Sequence, residues 1–164
     1  MTKTIAWGAL AVLWVAMVTP ALSQKTTQEI DFFHSVVSLE IPPLAQLKKD
    51  PTPRPGFSIY SIVAQSKPLL GIYVGAAPDR PARDALTLSY IGKCIAFERK
   101  HLGSKGRDVF VPFGSSPHLD HWMHLYYGDL ELADARKADA ILNSLTPVRG
   151  VGCFTAFPPE EFMR

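Results

Sequence analysis

Short apolar stretches, divided by proline- and glycine-rich punctuation, dominate this chain. Ser35 to Ile41 (SVVSLEI) alternates cleanly, with Val37, Leu39 and Ile41 on one face, and predicts a half-buried strand. Phe57 to Gln65 (FSIYSIVAQ) is apolar on both sides and rich in β-branched and aromatic residues, the composition of a central strand. Ser66-Lys67-Pro68 turns the chain, and Leu69 to Val74 (LLGIYV) returns as the hairpin partner. Leu86 to Arg99 reads as one long strand bent at Gly92. Gly103 to Gly106 turns the chain into a strand over Arg107 to Phe113, and Pro117 opens another over His118 to Tyr127.

Two segments read as helices. Pro43 to Lys49 (PLAQLKK) predicts a short helix started by proline. Leu130 to Leu145 places Leu132, Ala135, Ala138, Ile141, Leu142 and Leu145 at helical spacing, with Asp129 as cap and Thr146-Pro147 as stop. Asp50 to Gly56 and Gly75 to Asp84 hold too much proline and glycine for regular structure. The order predicts an α+β fold: an antiparallel sheet of five to six strands, with a short N-terminal helix and a long C-terminal helix packed on a face. Residues 35–148 form its single domain, after a lead-in over 24–34 and before a C-terminal tail over 149–164. This element order loosely resembles the small sandwich domains of PsbP-like and DcrB-like exported proteins. No residue motif accompanies the resemblance, so it implies neither function nor site.

Residues 1–23 change the picture, because they carry an address. Lys3 precedes the uncharged run Ile5 to Val18, Pro20 breaks it, and Ala21-Leu22-Ser23 supplies small residues where a signal peptidase cuts. The run is shorter than the about 20 residues of a comfortable membrane span. No Cys follows it, which argues against a lipid anchor. Losing Lys3 with the leader lowers the formal charge from +2 to +1. A chain so close to neutral gives no reason to expect nucleic acid as its main partner.

Two cysteines follow the leader, Cys94 and Cys153. In an exported chain an even count predicts a disulfide, here closing a long loop worth about 4 kcal/mol on the chain-entropy model. The alternative is a pair of buried thiols. Their spacing excludes a CxxC redox centre, and two thiols alone do not complete a zinc site.

The densest group of potential ligands is His118, Asp120, His121 and His124. Imidazoles at this spacing invite a metal, zinc or copper, bound by His118, His121 and His124. A helix would bring the three together, whereas a strand separates His118 from His124 by about 20 Å and turns His121 to the other face. The Pro117 start and the aromatic content favour the strand, and with it no bound cofactor. Ser115, Ser116, His118 and Asp120 hold the residue types of a hydrolase triad, but no Gly-x-Ser-x-Gly elbow presents a nucleophile. Arg99, Lys100, Lys105 and Arg107 concentrate positive charge at one hairpin tip, a possible partner surface. Tyr60, Tyr73, Tyr90, Trp122, Tyr126 and Tyr127 read mainly as core.

No motif fixes a chemistry. The reading that results is an exported, non-enzymatic binding or accessory domain of the cell envelope, in the periplasm, whose partner is an envelope or secretion component. The alternative is a metal-binding protein or metal-dependent enzyme built on the histidines. Mass spectrometry of protein from its native host is expected to find a mature N-terminus at or next to Gln24. Intact Met1 in a membrane fraction would replace cleavage with anchoring.

Overall fold

The computed structural model describes residues 24–32, 35–52, 55–76, 85–99, 106–112, 121–149 and Cys153. Within them lie ten strands and one helix. The strands are β1 (Thr26–Phe32), β2 (Ser35–Ile41), β3 (Ala45–Lys49), β4 (Phe57–Ala64), β5 (Lys67–Gly75), β6 (Leu86–Ile91), β7 (Cys94–Arg99), β8 (Arg107–Pro112), β9 (Trp122–Tyr127) and β10 (Thr146–Arg149). The helix is α1 (Leu132–Leu142). They form a three-stranded sheet, β1-β2-β10, and a seven-stranded sheet, β3-β4-β5-β9-β8-β7-β6, with every pairing antiparallel.

The architecture is therefore mostly β, and the α+β expectation of one five- or six-stranded sheet with two helices is corrected. Each difference has a local cause. The proline-started helix over 43–49 is instead β3: Leu44 takes a left-handed φ of 63°, and Leu47 then pairs with Ile62 on β4. Sheet pairing has overridden a weak helical preference there. The lead-in holds β1, a mostly polar stretch (TTQEIDF) that gives little alternation to read. Its full register on β2, from Thr26↔Ile41 to Phe32↔Ser35, makes it a strand all the same.

Leu86 to Arg99 is a hairpin rather than one bent strand. Gly92 turns it with a φ of 59°, and the amide of Lys93 donates to the Leu145 carbonyl at 2.9 Å. A side chain at 92 would collide with the Leu145 backbone, so glycine is required twice over. The β4–β5 turn lies one residue earlier than the sequence suggests. Gln65 and Ser66 take φ of 49° and 67°, the pattern of a type I′ turn, and Pro68 enters β5 beside an irregularity at Ile62/Val63. The C-terminal helix is 11 residues long. Glu131 rather than Asp129 stands at its N-cap, without a side-chain capping bond, and the proline meant as a stop sits in β10.

One core joins both sheets and the helix. Ile30, Val37, Leu39 and Ile41 of the small sheet meet Ile62, Leu70, Ile72, Val74, Val109, Val111, Met123 and Leu125 of the long one. Ile141, Leu142 and Leu145 complete it from the helix side. Burying side chains of this size stabilises by about 1.5–3 kcal/mol each. Cys94 and Cys153 form a buried disulfide with Cα atoms 5.5 Å apart, tying the C-terminal segment to β7. Residues 1–23, read from sequence as a leader, lie outside the described residues, among which no helix is long and apolar enough to cross a membrane.

A polar knot fastens α1 to this inner face. Arg107 on β8 donates from Nη1 to Asp139 on the helix at 2.8 Å and from Nη2 to Glu98 on β7 at 2.7 Å. Tyr127 donates its hydroxyl proton to Asp139 at 2.9 Å, and Ser89 on β6 donates to Glu98 at 2.6 Å. Burial disfavours the Arg107 charge, but the hydrogen bonds to Asp139 and Glu98 outweigh it and raise its pKa. Burial, reinforced by Asp139, pushes the Tyr127 phenol up to about 12. Folding thus favours the neutral phenol, and its stabilisation is complete below about pH 10 and lost as pH rises through about 12. Across that window the wild-type protein is expected to lose more unfolding free energy in urea titrations than Tyr127→Phe, which has no proton to release. Identical pH profiles would remove Tyr127 from the knot.

Candidate functional site

The face of the long sheet turned away from this core is built by cross-strand register. Three transverse rows of side chains run across six strands. The central row is Ile59, Tyr73, His124, Phe110, Phe97 and Leu88, each directly opposite the next on β4, β5, β9, β8, β7 and β6. On one side of it, Phe57, Gly75, Trp122 and Pro112 are aligned, with Ile95 and Tyr90 paired on β7 and β6. On the other side, Ser61, Gly71, Tyr126 and Asp108 are aligned, with Arg99 and Leu86 paired.

Ring contacts follow the rows. Phe57 stacks on Tyr73 with centroids 5.2 Å apart, and Phe97 tilts against Trp122 at 6.1 Å. Phe110 and His124 stack at 4.3 Å with planes only 7° apart, and Tyr126 tilts over His124 at 4.8 Å. The Tyr126 ring lies over Gly71, where an added Cβ would overlap it, so the glycine makes room for the aromatic opposite. Cross-strand pairs of this kind contribute about 0.2–1 kcal/mol each.

A single polar cluster interrupts the aromatic field. Asp108 Oδ1 lies 3.1 Å from Nε2 of His124, both side chains being largely buried. Arg99 Nε sits 3.4 Å from Asp108 Oδ2, without hydrogen-bond geometry to a described residue. Asp108 and the flanking rings of Phe110 and Tyr126 hold this imidazole in a fixed orientation. Ser115 and Ser116, the serines weighed as nucleophiles, lie outside the described residues.

The residues singled out in the sequence are divided by the fold. His118 and Asp120 lie outside the described residues, and His121 immediately precedes β9. His124 shares a face with Trp122 and Tyr126, following the period of two. Among the described residues no group of three or more His, Cys, Asp or Glu side chains is placed to hold a metal. Lys100 and Lys105 lie outside the described residues. Arg99 faces the outer side beside Asp108, while Arg107 faces the helix and pairs with Glu98 and Asp139. The two arginines that sequence proximity grouped together therefore occupy opposite faces. Tyr60 and Trp122 are buried as aromatic core, but Tyr90 and Tyr126 are exposed.

The sequence reading missed the end of the central row. β6 is an edge of the long sheet, and there Leu88 is 40% and Tyr90 57% exposed. The signal available was the run Leu86 to Ile91 (LTLSYI), which holds no charge and no proline. Elsewhere, a mostly apolar cleft of about 290 Å³ lies between Ser61, Pro68, Gly71, Tyr126 and Leu130. It is at the lower limit of size for a small-molecule site. No model of a known protein family matches the chain, and no curated protein or solved structure is significantly similar to it.

Zinc or copper added to the purified protein is expected to leave its melting temperature unchanged. His124→Ala is expected to destabilise by about 1–2 kcal/mol, having lost a stacked ring and a bond to Asp108, and His121→Ala by less. A metal-induced rise in melting temperature abolished equally by both substitutions would instead establish a shared metal site.

Proposed function

We propose that this chain is an exported, non-enzymatic domain of the cell envelope that holds an extended segment of a partner protein by strand addition at β6. The observation that carries the reading is the contrast between its four sheet edges. β1 carries Glu29 and Asp31; β3 is five residues long and carries Lys48 and Lys49; β10 is four residues long and contains Pro147 and a register irregularity. Charge, proline, short length and irregularity are the devices that keep edges from pairing. β6 has none of them: its six residues are uncharged, contain no proline and keep unbroken register with β7.

An edge of this kind offers main-chain hydrogen bonds for affinity and alternate side-chain positions for selectivity. Two features set the selectivity. Toward the outer face, Leu86, Leu88 and Tyr90 present an apolar strip continuous with the aromatic rows, so an incoming strand gains by placing apolar residues there. Toward the inner face, Thr87 presents a small exposed hydroxyl beside Ser89, whose own hydroxyl donates to Glu98. The leader and the buried disulfide fit an oxidising compartment, the periplasm.

A photo-crosslinking residue at Tyr90, introduced in the native host, is expected to give protein adducts that the same residue at Gln46 on β3 does not. Leu88→Lys is expected to reduce them by about tenfold, corresponding to about 1.4 kcal/mol. Adducts at β3 with none at β6 would overturn the assignment of the edge.

A further inference from the structure

We infer that β6 pairs with β6 of a second copy of this chain, joining two seven-stranded sheets across a two-fold axis. The inference rests on strand addition at β6 and names the partner. Three observations lead to it.

The first is main-chain direction. Gly92 and Lys93 form a two-residue loop closed by Ile91 and Cys94, with Gly92 alone of the two at positive φ. Hairpins of this length close on a hydrogen-bonded pair, so Thr87, Ser89 and Ile91 turn their amides and carbonyls toward β7. The amides and carbonyls of Leu86, Leu88 and Tyr90 then point outward from the edge, and no described strand takes them up.

The second is self-complementarity. An antiparallel register that sets Leu88 opposite Tyr90 of the second copy keeps both outer faces on one side, as sheet alternation demands. It also makes each such pair a hydrogen-bonded one. Applied twice by the symmetry, it covers the two most exposed apolar side chains of the strand, Leu88 and Tyr90, with each other. The same register places Ser89 opposite Ser89 and Thr87 opposite Ile91. An isologous contact needs a patch that complements itself, and this strand does so without bringing like charges together.

The third is charge. The formal balance of +2, or +1 without Lys3, gives two copies little repulsion to overcome. The central row Ile59, Tyr73, His124, Phe110, Phe97 and Leu88 then continues through Tyr90 of the second copy onto its sheet.

Ser89→Cys tests the register, because residue 89 lies on the axis in a non-hydrogen-bonded pair with Cα atoms about 4.5 Å apart. The protein has no free cysteine among its described residues, so the introduced thiol reports alone. Mature Ser89→Cys under mild oxidation is expected to form a covalent dimer at least tenfold faster than Leu88→Cys. Wild-type mature protein is expected to double its mass with concentration in sedimentation equilibrium, and Leu88→Lys to stay monomeric while remaining folded. Faster crosslinking of Leu88→Cys would overturn this register. Wild type monomeric at all concentrations, with Ser89→Cys uncrosslinked, would overturn the second copy as partner. If Tyr90 still gave adducts of another mass in the host, strand addition itself would survive that result. Loss of those adducts as well would remove both.

Discussion

The pairing of β5 with β9 is the interaction on which the structure depends. β3, β4 and β5 form one meander, and β6 to β9 form another; each is held by contacts between consecutive strands. Only the register from Gly71↔Tyr126 to Gly75↔Trp122 makes them one sheet. Its alternation aligns Ile72 with Leu125 and Val74 with Met123 toward the core, and Tyr73 with His124 away from it. A slip by one residue would turn β9 over, sending the imidazole of His124 into the core and Met123 and Leu125 to the opposite face. The same register places Gly71 beneath the Tyr126 ring, which an added Cβ would force to move. Apolar sorting and steric exclusion therefore select one alignment.

From that alignment the two faces acquire different roles. The inner face meets the small sheet and α1, and its polar groups are spent on internal bonding, Arg107 joining Glu98 and Asp139 while Tyr127 donates to Asp139. Truncating one member of such a knot strands the others half-buried, a larger penalty than the net worth of any one bond. The outer face is assembled from rings contributed by five strands, with Asp108, His124 and Arg99 as its polar centre. Its central row ends at Leu88, on the edge that lacks the usual guards against pairing. The aromatic row thus runs from largely buried positions on β8 and β9 out to the exposed Leu88 and Tyr90 of β6.

Local pattern was sufficient wherever a segment's surroundings matched what its own residues announce. β2 occupies the residues that alternation marked, Ser35–Ile41, and β4, β5 and β8 fall within two residues of their expected bounds. Ile141 and Leu142 are buried on α1, as helical spacing required. Cys94 and Cys153 meet in a disulfide that the even cysteine count anticipated. The period of two puts Trp122, His124 and Tyr126 on one face of β9 whichever strand lies beside it.

Tertiary structure decided what those patterns share with distant segments. β1 and β3 carry too few apolar residues to declare themselves; β2 and β4 supply the hydrogen bonds and neighbours that make them strands. The β6–β7 turn rests on Gly92 meeting Leu145, more than fifty residues away in the chain. Asp108 and His124 meet because β8 pairs with β9, and Arg99 and Arg107 part because alternation sends them to opposite sides. That β6 is an edge follows solely from strand order. A sequence specifies which residues seek burial and how they alternate; which strand lies beside which is set by the mutual fit of whole faces, a property no single segment contains.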